Sequence, residues 1–265
     1  MDFLDKEAKL HQHYEKIGLI EDDRLTAFDY NLRNLEIECA KDYLTDNTKV
    51  LDIGSGPGVA CFEYAKLSNH VKGIDYAQSM VDFSSRQLHQ KHSGLIGKLD
   101  FDKGSVLDLP YETNSFDVIT THRVLIALLS WEKQQQALRE IVRCLAVNGL
   151  YIMFEATEEG LSILNKYRKM FGLSEVAESG CGDYDRLLFS EKKLIELMQK
   201  DCELVTVHSF GMYYFISRII QPLFTAPESP RYDHKLNDTA FEIAKKIPDF
   251  ENIGHLKGYV WRKKG

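Results

Sequence analysis

One stretch restricts the possible folds of this chain most. In VLDIGSGPGVA, residues 50–60, an apolar run that contains an acid leads into a glycine-rich turn. Asp52 comes just before the turn, and Gly54, Gly56 and Gly58 lie within it. Glycine has no Cβ, so a ligand can approach its backbone closely. A turn between a strand and a helix lies at the carboxyl edge of open α/β sheets, where ligands bind. The stretch therefore predicts a ligand site, with a plain tight turn as the alternative.

Short apolar runs alternate with amphipathic stretches between Lys49 and Glu155, a pattern typical of repeated strand–helix units and a parallel sheet. Five strands are predicted, at KVLDI, HVKGID, LDFDKGS, FDVITT and LYIMFE. Helices are predicted at residues 57–68, 79–91 and 131–146. Ser79 is expected to cap the second helix, and the third is expected to stop near Asn148 and Gly149. Two further strands are predicted at CELVTVHSF and GHLKGYVWRK.

The rest of the chain is expected to cover this core. Residues 1–48 predict a helical N-terminal lid, and residues 49–265 form the main domain. Elaborations at about 157–190 and 211–253 are expected to form a cap over the acceptor. A glycine-rich loop, ESGCGDYDRL, is predicted to be mobile.

Composition excludes several classes of partner. The net charge of −7 disfavours nucleic acid, whose binding depends on cationic side chains. No apolar run reaches the roughly 18 residues that cross a bilayer, and the first residues lack a signal-peptide pattern. We therefore expect a cytoplasmic protein that binds a small molecule, without membrane or metal, and with a possible homodimer. The five cysteines are scattered singly, which fits reduced thiols: Cys39, Cys61, Cys144, Cys181 and Cys202.

The residues of the glycine turn distinguish between two classes of cofactor, dinucleotides and S-adenosylmethionine. A dinucleotide fingerprint requires a third glycine where Val59 stands. Asp52 would repel a pyrophosphate, whereas it suits a cationic ligand. S-adenosylmethionine carries an ammonium and a sulfonium, so the acid and the helix N-terminus suit its amino-acid end.

The segment VLDIGSGPG resembles the first motif of the class I S-adenosylmethionine-dependent methyltransferases, and VKGIDYAQSM resembles their second motif. KGSVLDLPYETNSFDVITT and ALREIVRCLAVNGLYIMFE resemble the family's later strands and helix, so the resemblance covers about residues 49–156. A weaker resemblance links the flanking segments to members of surface-polysaccharide and small-metabolite pathways. The resemblance implies a Rossmann-like fold, with a mostly parallel seven-stranded sheet, helices on both faces and a helical lid.

It also implies the cofactor, S-adenosyl-L-methionine, with S-adenosyl-L-homocysteine as product, and an acid, Asp75, that accepts hydrogen bonds from the ribose hydroxyls. Arg24 would pair with the methionine carboxylate, or else with a neighbouring acid such as Asp22. Ser105 departs from the family, which often has an aspartate there. The implied cofactor-binding residues are Tyr14, Arg24, Asp52, Gly54, Ser55, Gly56, Asp75, Tyr76, Met80, Ser105, Val106 and Thr121.

A hydroxyl or ammonium acceptor must lose a proton, so a general base is expected near the cofactor. His122 follows the predicted fourth strand and Glu155 ends the fifth, and these two residues are the catalytic candidates. The alternatives are a structural or cofactor contact for His122 and a capping role for Glu155. The candidate substrate-binding residues are Arg123, Asn165, Arg168, Tyr213 and Tyr214, each with ordinary packing or ion pairing as its alternative.

These features together predict methyl transfer to an oxygen or nitrogen of a small metabolite or sugar. Two alternatives remain open from the sequence. One is a cofactor-binding partner of a methyltransferase complex without catalysis of its own, and the other is an NAD-dependent oxidoreductase.

Overall fold

A seven-stranded sheet organises the chain. The computed structural model describes residues 3–177, 186–228 and 231–265. The strands are β1 Lys49–Ile53, β2 His70–Asp75, β3 Leu99–Lys103, β4 Phe116–His122, β5 Leu145–Ala156, β6 Cys202–His208 and β7 Leu256–Lys263. Their order is β3-β2-β1-β4-β5-β7-β6, with β7 antiparallel to both of its neighbours and the other pairs parallel. The predicted Rossmann-like sheet is confirmed.

Helices cover both faces of the sheet, as the sequence predicts. The helices are α1 Phe3–Ile20, α2 Tyr30–Lys41, α3 Val59–Tyr64, α4 Gln78–Lys91, α5 Trp131–Cys144, α6 Glu158–Met170, α7 Glu191–Met198, α8 Gly211–Phe215, α9 Gln221–Thr225 and α10 Lys235–Ala244. A π-helical turn, Ile216–Ile220, joins α8 to α9. One core packs α2, α3, α8 and α10 on one face, and another packs α5 and α7 on the opposite face.

Strand order reverses between β1 and β4, which creates the crevice where open α/β sheets bind ligands. β1 lies between β2 and β4, with Asp52 in register with Gly73 and with Thr120. The turn after β1 therefore opens at the centre of the carboxyl edge. The ends of β2, β4 and β5 lie on the same edge because these strands are parallel.

Two local predictions are wrong. Helix α4 begins at Gln78 with Ala77 as its N-cap, so Ser79 lies inside the first turn and does not cap it. A carboxylate from α1 satisfies the first amides of α4 instead, as described below. Helix α5 ends at Cys144 and β5 begins directly at Leu145, so Asn148, which has a left-handed backbone conformation, lies within the strand.

Residues 3–41 contribute two helices and a 3₁₀ turn at Asp23–Thr26, in keeping with the predicted helical N-terminal segment. The domain boundary at residue 48 stays a prediction. The glycine-rich loop predicted to be mobile lies mostly outside the described residues. No helix in the described part of the chain is long and apolar enough to span a bilayer.

Candidate functional site

The glycine turn is held open by backbone conformation. Gly54, Gly56 and Gly58 all have positive φ angles, in the left-handed region that side chains disfavour. The amide of Gly54 donates to the Ile74 carbonyl over 2.8 Å, which ties the turn to β2. A Cβ at Gly56 would meet only the Thr26 methyl at 3.9 Å, so the backbone faces open space there.

Asp75 ends β2 and joins two turns at this edge. One carboxylate oxygen accepts the Gly56 amide and the other accepts the Ala77 amide, each over 2.9 Å. Burial raises the pKa of Asp75 to about 6, although both amides favour the charged form. Each carboxylate oxygen has two lone pairs, so Asp75 can still accept hydrogen bonds from a diol.

Asp52 lies beneath the turn and is only 2% exposed. Its carboxylate accepts the Thr120 hydroxyl over 2.7 Å and the Cys61 thiol over 3.3 Å. Burial raises its pKa. The acid therefore joins β1, β4 and α3, and the described contacts do not direct it to the amino-acid end of a cofactor.

Helix α1, here called the lid helix, lies across the end of β2. Ile17 of the lid helix packs with Ala77 and Met80 beside Asp75. Glu15 accepts the amides of Gln78 (2.9 Å) and Ser79 (3.0 Å). These are unpaired amides of the first turn of α4, so Glu15 caps a helix from outside it.

Tyr14 of the lid helix reaches over the carboxyl edge. Its ring meets the Tyr76 ring edge-on, with centroids 6.1 Å apart. Burial raises the pKa of the Tyr14 hydroxyl, and the charges of Arg186, Asp75 and Arg123 also act on it. Tyr14 thus lies among charged groups contributed by several strand ends.

A buried acid on α2, Glu36, organises the end of β4. Its two oxygens accept from His122 Nδ1 over 3.0 Å and from the Arg123 guanidinium. The other ring nitrogen of His122 lies 3.0 Å from the Tyr64 hydroxyl, and the ring stacks on Phe154 at 4.7 Å. Glu36 is fully buried, so these partners neutralise a carboxylate that would otherwise be costly to bury.

Glu155 at the end of β5 caps the segment that follows β4. Its carboxylate accepts the backbone amides of Val124 (2.9 Å), Leu125 (2.8 Å) and Ile126 (3.2 Å). Burial raises its pKa to about 7. Glu155 therefore has a capping role, although the segment it caps precedes β5 in the chain and does not follow it. The role of Glu155 as a base stays a prediction.

The side chains of several implied cofactor residues are already in contact with other protein groups. The Ser55 hydroxyl turns towards Gly73. Ser105 accepts the Leu107 amide over 3.2 Å at the surface, beside the buried Val106. The Thr121 hydroxyl bonds to that of Tyr151 inside the core.

Arg24 is exposed and takes the alternative partner that the sequence left open. Its guanidinium pairs with Asp22 over 3.2 Å, and its backbone amide donates to the same carboxylate. Within residues 3–177, 186–228 and 231–265, no contact brings Arg24 to the carboxyl edge.

Of the four outer substrate candidates, Asn165, Arg168 and Tyr213 hydrogen-bond to other groups, and Tyr214 is buried. Asn165 bonds to both backbone groups of Val176, and the Arg168 guanidinium donates to two backbone carbonyls. Tyr213 donates to Asp29, which also pairs with Arg218. Tyr214 is fully buried near the Leu256 amide, without a hydrogen bond of normal geometry.

Sequence reasoning missed Glu36, Asp29 and Arg218. Glu36 is separated from Arg123 by 87 residues, and no local motif marks the pairing. A weak signal exists, since Glu36 falls on the apolar face of α2 with Leu32 and Leu35.

A cavity of about 30 Å³ opens beside the site, between the segment after β4, the end of β5 and α6. A larger space of about 250 Å³ lies between α5 and α7, at the opposite edge of the sheet and away from these residues. Within the described residues, no cluster of three His, Cys, Asp or Glu side chains could hold a metal ion.

Comparison with known proteins agrees with this geometry. A family model described as a methyltransferase domain matches residues 44–229. The ubiquinone/menaquinone biosynthesis C-methyltransferase UbiE of Sinorhizobium fredii is 26% identical over 138 residues, 51% of this chain and 52% of the relative. The uncharacterized methyltransferase YcgJ of Bacillus subtilis is 24% identical over 156 residues, 57% of this chain and 59% of the relative. The chain thus spans about half the length of the curated relatives it matches.

A solved structure shares the whole fold. Phosphoethanolamine N-methyltransferase 1 of Haemonchus contortus, in complex with phosphoethanolamine and S-adenosylhomocysteine, matches with a TM-score of 0.65 and 15% identity. The match covers 100% of this chain and 50% of that one. The chain belongs to the class I S-adenosylmethionine-dependent methyltransferase family, as its motifs predict.

The residues at the carboxyl edge fit the family's cofactor. Asp75 retains acceptor capacity for a ribose diol, and the open backbone at Gly56 admits a close ligand. The family assignment replaces the NAD-dependent alternative.

Proposed function

We propose that this chain transfers a methyl group from S-adenosylmethionine to an oxygen or nitrogen of a small organic molecule. The observation that carries the proposal is the Asp75 carboxylate, shared between the Gly56 and Ala77 amides beside an open glycine backbone. A small cavity next to Ile126 and Ala156 lies at the same edge, where one group of the acceptor would fit.

When bound, S-adenosylmethionine supplies a methyl group on a positively charged sulfur that is a good leaving group. Asp75 would hold the ribose hydroxyls, and Gly56 would lie against the ligand without a Cβ in the way. Tyr14 of the lid helix packs against Tyr76 beside Asp75 and would help to exclude water from the bound ligand. Because methyl transfer is an in-line displacement, positioning accounts for much of the catalysis.

His122 is the stronger candidate for the base. Glu36 orients its imidazole and would stabilise the imidazolium that forms when the acceptor proton reaches the ring. Tyr64 occupies the other nitrogen, so the proton passes either through that hydroxyl or after it turns away. Glu155 already accepts three backbone amides, which favours a positioning role for it.

A carbon acceptor is the second candidate, because curated relatives are named C-methyltransferases. The structural neighbour named as an N-methyltransferase supports the first. Mass spectrometry and NMR of the methylated product distinguish the two.

The test begins with calorimetric titration of S-adenosylhomocysteine and of NADH. We expect micromolar binding of the first and none of the second. Asp75→Asn should weaken binding at least about a hundredfold, since hydrogen bonds to a charged group contribute about 1.5–3 kcal/mol each. The matched control is Asp82→Asn, an exposed acid on α4. Binding that survives Asp75→Asn would refute the proposed site.

Turnover is measured separately, as S-adenosylhomocysteine formed with panels of hydroxyl and amine acceptors. Binding without turnover on every panel would favour the alternative of a non-catalytic partner in a methyltransferase complex. His122→Gln should lower kcat while leaving the Kd of S-adenosylhomocysteine nearly unchanged.

A further inference from the structure

The cavity beside the site has apolar walls and two polar members. Its walls are Ile126, Ala156, Leu161, Val176, Ala177 and Leu188. The polar members are His255, which directly precedes β7, and Arg186. Ile126 follows β4 and Ala156 ends β5, so the cavity lies on the edge that carries Asp75 and Glu155.

His255 presents a hydrogen-bonding atom that nothing in the described residues satisfies. Its Nδ1 is buried and has no hydrogen-bond partner. A buried polar atom left unpaired costs about 1–3 kcal/mol, and few native groups remain so. Burial and the nearby arginines lower the pKa of His255 to about 3, so the ring is neutral at pH 7. A neutral ring that lines a cavity is suited to a hydrogen bond with a ligand.

Tyr214 lies beside His255 but is not one of the described residues that line the cavity. Its ring meets that of His255 edge-on at 5.1 Å, and its fully buried hydroxyl lies near the Leu256 amide. The Tyr214 ring therefore packs against His255 at the start of β7.

Three arginines act on His255, and they differ in whether they have an ion-pair partner among the described residues. Arg218 pairs with Asp29, and Arg123 pairs with Glu36. Arg186 makes no ion pair with the described residues, although its charge acts on both Tyr14 and His255. Arg186 is exposed and lines the cavity, so it contributes positive charge at the mouth of the cavity.

We propose that this cavity binds the carboxylate group of a small organic acid, with Arg186 as its counter-ion and His255 as its hydrogen-bonding partner. The proposal rests on the proposed function, because it makes a small organic acid the methyl acceptor. The small volume of the cavity leaves room for a group the size of one or two waters, which suits a carboxylate rather than a whole sugar.

Propionate and its neutral isostere propionamide test the charge requirement. Each is titrated into protein loaded with S-adenosylhomocysteine, and the ring signals of His255, assigned with His255→Gln, are followed by ¹⁵N NMR. We expect propionate to bind at least about tenfold more tightly than propionamide. Arg186→Gln should remove that difference, whereas Arg231→Gln, at an exposed arginine paired with Asp233, should preserve it.

Equal binding of the two probes, or no binding of either, overturns the inference. It is also overturned if Arg186→Gln weakens S-adenosylhomocysteine itself, because Arg186 would then serve the cofactor. Loss of S-adenosylhomocysteine binding in the unaltered protein contradicts the proposed function instead. In that case, titration of propionate and propionamide into the protein without S-adenosylhomocysteine tests the anion site by itself.

Discussion

At Gly18 of the lid helix, helix propensity and packing predict opposite effects of an alanine substitution. Glycine inside a helix is about 1 kcal/mol less favourable than alanine, so local propensity predicts that Gly18→Ala stabilises the lid helix. The packing of the lid helix on α4 predicts that the same substitution weakens the contact between the two helices. A Cβ at Gly18 would lie 2.4 Å from the Ser79 hydroxyl, 2.7 Å from the Ser79 carbonyl carbon and 2.8 Å from the Met80 amide nitrogen.

Two of these three atoms belong to the backbone of α4, so a rotamer change cannot relieve the contact. Forcing an extra methyl into a packed interface costs about 1–3 kcal/mol. The variant should therefore undock the lid helix and weaken the Glu15 contacts to Gln78 and Ser79, a capping interaction of about 1 kcal/mol. Because Tyr14 lies on this helix over Asp75, we expect roughly tenfold weaker binding of S-adenosylhomocysteine, which corresponds to about 1.4 kcal/mol.

The assay combines calorimetry with hydrogen exchange at the amides of Gln78 and Ser79, which should exchange faster in the variant. Gly94→Ala is the matched control, since a Cβ there meets nothing within 4 Å. A Gly18→Ala variant with unchanged affinity, unchanged amide protection and increased stability would falsify the packing argument.

Three further predictions concern the charged groups. Glu36→Gln should destabilise the fold by about 3–5 kcal/mol in urea unfolding, because it leaves the Arg123 charge buried without its partner; a loss below about 1 kcal/mol contradicts the buried cluster. Affinity for S-adenosylhomocysteine should fall as pH drops below about 6, because Asp75, whose pKa is raised to about 6, becomes protonated and loses acceptor capacity. If the pH dependence persists in Asp75→Asn, it arises from another group. Arg24→Ala should change the Kd of S-adenosylhomocysteine less than about threefold, since exposed ion pairs contribute about 0–1 kcal/mol, and a tenfold loss would return Arg24 to the cofactor.

The sequence could predict the strands and the glycine turn because their signals are local. Apolar runs of four to eight residues separated by amphipathic helices define parallel units without knowledge of distant contacts. The left-handed conformations of Gly54, Gly56 and Gly58 follow the same local logic, since other residues rarely adopt them.

The roles of acids could not be predicted in the same way. An acid at a strand end suits a ligand and a neighbouring backbone equally well, and only the fold shows that Glu155 faces three amides. The cap of α4 illustrates the same limit. Ser79 has the residue type of a cap, whereas Glu15, 63 residues from Gln78, makes the contact.

Three acids end strands at the carboxyl edge, and their partners determine what each can do. Asp52 accepts a hydroxyl and a thiol from beneath the turn, so its donors lie within the core. Glu155 is committed to the segment after β4. Asp75 accepts one amide from the turn after β1 and one from the turn after β2, beside the open backbone at Gly56, and its carboxylate retains acceptor capacity. Under the proposed function, a ligand that donates two hydroxyls would bind Asp75 without breaking the core. Acids at the ends of three strands would then serve stability at two strands and binding at the third.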